Sequence, residues 1–367
     1  MYWLQVSNHI HMMSSQYMIG KDKNTTHICA EPVGSPDVLV KSVFFFILIL
    51  YIPGCFKRGD KRMIGKYYEC RGLKYYEIAN NRQPLVLIHA QGVDGNSYAN
   101  VAKQLSKKFH IYSIDCYGHG GSRHDPADYN IRSISEAIID FIKHVIQNKV
   151  WLLGHSSGGL IAAFISAETD LCDKLILEDP PFFASQGDRR KKTFNYVDLS
   201  TICHNYNMQN EQTDFVLYYF ANQYAWNFFP GKSRDRVRAK LVKMAAAYRK
   251  KHPDKDLKVL FWPKAALAGF QGMNNYDPLF GETFYNGSFH CGILHEDILR
   301  KVHCDTIFMK AKTNMGSDGI LLAALSDDDL KRVSNVITNC EIVRFDCGHG
   351  IHIERPKEFI RCLMNLK

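Results

Sequence analysis

Residues 150–164 read VWLLGHSSGGLIAAF, and this stretch decides the fold. One apolar run ends abruptly at a Gly-His-Ser-Ser-Gly segment, and a second apolar run follows at once. We therefore predict a buried strand, a tight turn and a helix. Gly154 and Gly158 flank Ser156 at the spacing G-x-S-x-G, where any side chain on either glycine would collide with the neighbouring strand or helix. This setting predicts that Ser156 is a nucleophile in a strained backbone conformation.

Strands and helices alternate on both sides of this turn. A hairpin around Arg71-Gly72 comes first, because two β-prone segments flank that turn signal. Apolar strands are predicted at 84–89, 110–115, 150–153, 174–179, 305–310 and 341–345. Helical spacing of apolar residues predicts helices at about 97–107, 132–147, 327–337 and 356–365. The alternation indicates a doubly wound, mostly parallel α/β sheet.

The alternation stops at Pro180-Pro181. Residues 182–300 carry helical patterns and many aromatic side chains instead. We predict a core made of residues 66–181 and 301–367, with residues 182–300 forming a helical cap over the sheet. The aromatic cluster at 215–229 either lines a substrate pocket or packs as the interior of the cap itself.

Composition excludes several classes of protein. The 367 residues carry a net charge of +9 and 46% hydrophobic residues, which indicates a globular chain, and no nucleic-acid-binding motif accompanies the charge. The basic stretches are either a solvated face or a surface that touches anionic lipid. Eleven cysteines occur without a C-x-x-C pair, and no dinucleotide-binding glycine pattern is present. We therefore expect no nucleic-acid partner, no metal and no cofactor.

The N-terminal part reads differently from the rest. Residues 1–37 show no periodicity, and we assign no structure to them. Residues 38–56 hold an apolar run too short to span a bilayer, which favours an export or membrane-anchoring signal. Cys55 closes a segment resembling a bacterial lipobox and is a candidate lipidation site, and residues 57–65 suit a tether. The alternatives are an uncleaved anchor helix, a buried strand, or a true start further along, which leaves the protein either membrane-associated or exported, or else cytoplasmic.

With these parts in order, the chain resembles the α/β-hydrolase fold family, in the branch with a helical cap. The resemblance covers about residues 66–367. Four motifs follow the family order: His89-Ala90-Gln91-Gly92, the loop at 115–122, the Ser156 turn, and the closing segment at 347–356. Ala90 departs from the family pattern, because it replaces the usual first glycine of its loop.

The resemblance implies a role for particular residues. Ser156 would be the nucleophile and His349, on the loop after the last strand, the base that activates it. Asp318, in the loop after the strand at 305–310, would be the acid that orients His349. The backbone N–H groups of Ser157 and Gln91 would form the oxyanion hole.

Alternatives remain at two of these positions. Asp179, at the end of the preceding strand, is the other position where the family places its acid. His352 is the rival base, whereas we interpret His155 as structural. Asp115 is interpreted as part of a structural turn, and the acids at 327–329 as a helix start.

The activity that the resemblance implies is that of a serine hydrolase. It would cleave a small-molecule ester or related acyl substrate through an acyl-enzyme, without a cofactor. Other chemistries on the same fold stay open: amide or C–C hydrolysis, acyl transfer, and haloperoxidase-like activity. A ligand-binding protein with little turnover is the alternative from a different class.

Overall fold

The computed structural model describes residues 20–22, 25–27, 63, 65–229, 231–259 and 267–367. The chain divides into two compact units, residues 1–50 and 51–367. In the first unit, strand β1 (Gly20–Asp22) pairs antiparallel with β2 (Thr25–His27). The predicted signal at 38–56, with Cys55, lies outside the described residues.

Eight strands of the second unit form one sheet. They are β3 (Lys66–Cys70), β4 (Leu73–Ile78), β5 (Gln83–Ile88), β6 (Phe109–Asp115), β7 (Val150–His155), β8 (Cys172–Glu178), β9 (Asp305–Lys310) and β10 (Cys340–Arg344). Their order is β10-β9-β8-β7-β5-β6-β4-β3. β4 pairs antiparallel with β3 and β6, and all other neighbours pair parallel. The predicted mostly parallel α/β sheet is confirmed, and the hairpin turn lies at Arg71-Gly72 as expected.

Helices flank this sheet. Those of the core are α1 (Ala99–Leu105), α2 (Ile131–Phe141), α3 (Ser157–Glu168), α9 (Asp327–Val336), α10 (Ile351–Glu354) and α11 (Pro356–Asn365). Between β8 and β9 lie α4 (Thr201–Asn207), α5 (Phe215–Asn222), α6 (Gly231–Lys251), α7 (Pro278–Asn286) and α8 (His295–Arg300). No helix in the described part of the chain is long and apolar enough to cross a membrane.

The central strands are apolar on both faces because helices cover both sides of the sheet. Leu85, Leu87 and Leu153 pack into one core with helices α1 and α11. β5 lies between β6 and β7, so the chain moves outward in both directions from this strand. Ligands of open α/β sheets bind at the carboxyl ends of the strands beside such a switch point. Ser156 directly follows β7 at this place.

The aromatic cluster in α5 and the turn after it packs within the inserted segment. Phe220, Trp226 and Phe229 are buried. Their rings meet one another, with centroids 5.6 Å apart for Phe220–Trp226 and 5.1 Å for Trp226–Phe229. Phe270, further along the segment, lies 5.9 Å from Phe220. Of the two interpretations of this cluster, these contacts favour an interior over a pocket lining.

Candidate active site

Ser156 occupies a strained turn between β7 and α3. Its backbone has φ 54° and ψ −120°, a conformation that L-residues rarely adopt. The Ser156 N–H donates to the carbonyl oxygen of Glu178 at 3.0 Å, which ties the turn to the neighbouring strand β8. Such strain persists only where the surroundings enforce it and is concentrated at functional sites. The turn therefore has the backbone geometry expected of a strand–turn–helix nucleophile elbow, with Ser156 half-buried.

The two flanking glycines have a steric cause. A Cβ atom on Gly154 would lie 2.2 Å from the carbonyl oxygen of Gly158. A Cβ atom on Gly158 would lie 2.3 Å from the carbonyl oxygen of Ile88 in β5. Both obstacles are backbone atoms that cannot move aside cheaply. The collisions predicted from the spacing of the motif are present in the fold.

His349 lies on the loop after β10 and points one ring nitrogen at a buried acid. Its Nδ1 is 2.9 Å from Oδ2 of Asp179. A carboxylate accepts, so Nδ1 carries the proton and Nε2 is left as the basic nitrogen. Among the described residues no partner occupies Nε2, and the side chain is 39% exposed. His349 is thus oriented to take a proton from a nearby group.

Asp179 is held by several groups of the core. It follows β8 directly, has φ 45°, and its side chain has no solvent exposure. Its Oδ1 accepts from the N–H of Ala311 at 3.1 Å, and the ammonium group of Lys310 lies 3.7 Å from the same oxygen. Its own N–H donates to Met309 at 2.9 Å. These contacts fix the carboxylate that faces His349.

Asp318, the acid assigned from the sequence, makes its hydrogen bonds with other residues than His349 among those that the structure describes. It is exposed, and its carboxylate accepts from the hydroxyl of Tyr224 and from the N–H of Ile320. The loop after β9 folds back on itself through a bridge between Met315 and Leu321, and Leu321 also pairs with Thr193. These contacts tie the loop to the inserted segment, and the carboxylate that contacts His349 is that of Asp179, the alternative position.

The loop after β5 is pinned by two buried histidines. His89 donates from Nδ1 to the carbonyl of Ala90 at 2.7 Å and accepts the N–H of Cys116 at Nε2, 3.0 Å away. His119 accepts the N–H of Gly92 at 3.1 Å. Burial lowers the pKa of both imidazoles, which keeps them neutral and able to accept. The first two motifs of the chain therefore hold each other in place.

Gln91 lies within this pinned loop and contacts the inserted segment. Its side-chain amide donates to the hydroxyl of Tyr276 at 2.8 Å and accepts from Asn195 at 3.2 Å. The residue before the loop, Ile88, pairs with Gly154, so the loop and the Ser156 turn leave adjacent strands. Gln91 and Ser157, the two residues assigned to the oxyanion hole, follow neighbouring strand ends.

Glu178 and His352 form a hydrogen-bonded pair close to His349 in the fold. The carboxylate of Glu178, fully buried, accepts from both the backbone N–H and Nδ1 of His352 at 2.8 Å. Burial alone would raise the pKa of Glu178, but the charge and hydrogen bonds of His352 lower it to about 2. His352 packs on Tyr98, with ring centroids 4.5 Å apart. These contacts hold His352, the alternative base, in the buried interior.

His155 joins this pair to the candidate base. Its Nε2 donates to the backbone carbonyl of His349 at 3.1 Å, and the two rings lie 4.6 Å apart. Burial lowers the pKa of His155 to about 3, so the ring stays neutral. The structural interpretation of His155 agrees with this geometry.

One group among the described residues has the spacing of metal ligands: His155, Glu178 and His352. All three are buried, and Glu178 already accepts two hydrogen bonds from His352. Their contacts are those of a hydrogen-bonded interior, and we do not assign them as metal ligands.

The closing segment at 347–356 contains a contact that shapes the loop carrying His349. Glu354 accepts the N–H of Gly348 at 2.9 Å, directly before His349. A Cβ atom on Gly348 would lie 2.5 Å from the same carboxylate. The glutamate and the glycine of this segment therefore set the start of the loop that carries His349.

Comparison with known protein families gives a match over most of the chain. A family model described as the alpha/beta hydrolase family matches residues 85–361. The chain belongs to this family. The family assignment covers both sides of the inserted segment and all the site residues named above.

Individual relatives of this chain are more distant. The pimeloyl-[acyl-carrier protein] methyl ester esterase of Vibrio cholerae serotype O1 is 31% identical over 118 residues, which cover 32% of this chain and 44% of that protein. The match spans less than half the length of that relative.

Solved structures share the fold. The enol-lactonase from Burkholderia xenovorans LB400 aligns with a TM-score of 0.55 at 15% identity, over 82% of this chain and 98% of that one. The N-formylmaleamic acid deformylase from Pseudomonas putida S16 aligns with a TM-score of 0.53 at 17% identity, over 82% and 100% of the two chains. At such identities the likeness concerns the fold alone.

Sequence reasoning missed two buried charged side chains. Glu178 and Lys310 each end an apolar strand, and both side chains have no solvent exposure. The signal was available, since a charged residue that closes a buried strand needs a partner at the same sheet edge. Sequence alone did not say which partner it meets.

Proposed function

We propose that this hydrolase cleaves an ester or a related acyl substrate through an acyl-enzyme on Ser156. The observation that carries the proposal is the 2.9 Å contact between His349 Nδ1 and Asp179, at the sheet edge that also holds the strained Ser156 turn. An unassisted serine hydroxyl is a weak nucleophile at neutral pH, so a base with a fixed free nitrogen is what this turn requires.

In the proposed reaction, His349 Nε2 takes the hydroxyl proton as Ser156 Oγ attacks the substrate carbonyl. The protonated imidazole then gives that proton to the leaving alcohol, and the acyl group stays on Ser156. A water molecule that loses its proton to His349 releases the acid and restores the serine. Asp179, rather than Asp318, would hold His349 in the required tautomer throughout.

The N–H groups of Ser157 and Gln91 would stabilise the negative charge on the carbonyl oxygen. Ser157 is the first residue of α3, and the first N–H groups of a helix have no acceptor within it. Gln91 is fixed through its side chain by Tyr276 and Asn195. Both features favour donors that are in place before the substrate arrives.

Residues 182–300 would form the cap that shapes the substrate pocket. Asn195 and Tyr276 of this segment bond to Gln91, and side chains of Leu199 and Met273 lie close to Gly92. The same segment joins the core where the N–H of Asp277 donates to Gly118 at 2.9 Å. Its contacts with the proposed oxyanion loop support a role in substrate selection.

The test is a panel of p-nitrophenyl esters of graded acyl length, together with fluorophosphonate labelling. Ser156→Ala is expected to lose activity by roughly 10⁴-fold or more and to lose the label. Ser133→Ala, which removes a hydroxyl at the start of α2, is the matched control and should behave as wild type. A Ser156→Ala protein with full activity or normal labelling would refute the proposal.

The same panel separates the alternatives. Turnover of p-nitroanilides in preference to the esters would favour amide hydrolysis. An acyl-enzyme burst without steady turnover would favour a ligand-binding protein with little catalysis.

From the sequence alone, we also propose that residues 38–56 act as an export signal or membrane anchor, with Cys55 as the lipid attachment site. Mass spectrometry of the mature N-terminus tests this directly. A lipidated Cys55 or an uncleaved segment supports the proposal, whereas a chain that starts at Met63 rejects it.

A further inference from the structure

A buried lysine closes strand β9, where the acid of the site was first expected. The side chain of Lys310 has no solvent exposure, and its ammonium group lies 3.7 Å from Oδ1 of Asp179. The ammonium group also donates to the carbonyl of Ala311. A buried ammonium group is strongly destabilising unless a carboxylate pairs with it. Asp179 is the only carboxylate at ion-pair distance from Lys310 in the described part of the chain.

One carboxylate therefore serves two basic groups. Oδ2 of Asp179 faces His349, while Oδ1 faces Lys310 and the N–H of Ala311. When His349 takes up a proton, its positive charge and that of Lys310 compete for the single negative charge of Asp179. The charge of Lys310 thus offsets part of the charge of Asp179, which leaves less of it to stabilise protonated His349.

We propose that Lys310 is a positioning residue that holds the Asp179 carboxylate against His349 and offsets part of its charge. Through the shared carboxylate, Lys310 sets how much negative charge His349 meets when it accepts the proton of Ser156. This inference rests on the proposed function, since it assigns to Lys310 a role in the reaction of Ser156.

The other charged groups nearby have partners of their own. Asp327 forms a salt bridge with Arg344 at 2.7 Å, and the charge of Lys310 also interacts with its carboxylate. Glu178 pairs with His352, and Glu354 accepts the N–H of Gly348. The remaining titratable neighbours of the site are His155, against the ring of His349, and Cys347, beside Asp179. Burial holds His155 neutral and raises the pKa of the Cys347 thiol to about 12, so neither contributes charge near neutral pH.

The first test measures the rate of p-nitrophenyl ester cleavage against pH for wild type, Lys310→Met and Lys310→Arg. Without the positive charge, protonated His349 becomes more stable, so the acid limb of the kcat/KM profile should move to higher pH by about one unit or more. Lys310→Arg keeps the charge and should keep the wild-type limb. A Lys310→Met profile reduced by one factor at every pH, with no shift, overturns the proposal.

The second test is independent of turnover and uses thermal unfolding of Lys310→Met, Asp179→Asn and the double variant. Asp179→Asn leaves the Lys310 ammonium group without a carboxylate, and Lys310→Met leaves Asp179 with His349 and the Ala311 N–H. The double variant buries neither charge. The decrease in the unfolding midpoint of the double variant should be clearly smaller than the sum of the decreases in the two single variants. If Lys310→Met fails to fold while the double variant folds, that result also supports the Lys310–Asp179 ion pair.

Additive losses would overturn the pair, whatever the activity measurements show. Conversely, a fully active Ser156→Ala would reject the proposed reaction, while the unfolding cycle would still report on the Lys310–Asp179 contact. The two failures are therefore distinguishable.

Discussion

Replacing Asp179 by asparagine is the sharpest test of the site, because Asp318 provides a matched control. Asp179 accepts Nδ1–H of His349 at 2.9 Å, whereas Asp318 bonds Tyr224 at the surface. The two charge centres of the first pair are about 4 Å apart, so at an effective dielectric constant of 20 their attraction is about 4 kcal/mol. Loss of that attraction in the transition state corresponds to about a 10³-fold slower reaction.

A second effect acts in the same direction. An asparagine amide can donate to Nδ1 and so favour the tautomer whose Nε2 carries the proton, which cannot accept one from Ser156. We therefore expect Asp179→Asn to lower kcat by about 10³–10⁴-fold on p-nitrophenyl esters. Asp318→Asn should stay within a few-fold of wild type.

Circular dichroism and the unfolding midpoint of both variants identify any loss that comes from misfolding. The reasoning is refuted by a folded Asp179→Asn with near-normal kcat, and more strongly if Asp318→Asn is the variant that loses activity.

Three further changes test the fold around the site. Gly158→Ala places a Cβ atom 2.3 Å from the carbonyl oxygen of Ile88 and should destabilise the protein by roughly 3 kcal/mol or more. Gly269→Ala is the control, because a Cβ atom there would have no neighbouring atom within 4 Å, and it should not destabilise the protein. Equal unfolding midpoints for the two variants would contradict this expectation. The pKa of His155 in the folded protein, about 3, lies below its ordinary value, so wild type loses stability as pH falls from about 6.5 towards 3. His155→Gln should lessen that slope by roughly 1 kcal/mol per pH unit in acid-dependent thermal unfolding, and an unchanged slope would count against a neutral buried ring. Glu178→Gln should lower the unfolding midpoint at neutral pH. The difference between the midpoints of wild type and variant should shrink as pH falls from about 4.5 towards 2, where wild-type Glu178 takes up its proton. A difference that does not depend on pH would contradict an ionised Glu178.

Local patterns sufficed for much of the fold. Continuous apolar runs marked the central strands because both faces of a parallel sheet are covered, and helical spacing marked the flanking helices. The acids at 327–329 were expected to start a helix, and α9 begins at Asp327, where the structure adds a capping box between Ser326 and Asp329. These features depend on neighbours within a few residues, which sequence shows directly.

The carboxylate that contacts His349 depended on something else. Asp179 and Asp318 both follow strands that point to the same edge, so strand order alone allowed either. The choice came from the loop after β9, which bridges Met315 to Leu321 and joins Thr193 of the inserted segment. Such a contact joins residues more than a hundred positions apart, and no local pattern records it.

Ser156 and His349 follow from the sequence by itself, because a G-x-S-x-G turn admits no side chain at its glycines and the closing segment fixes its own loop through Gly348 and Glu354. Only the tertiary structure decided that Asp179 faces His349 and that Lys310 lies behind it. The physical reason is that a buried carboxylate takes its partners from whichever strand ends the sheet brings together, and those ends are adjacent in space while far apart in the chain.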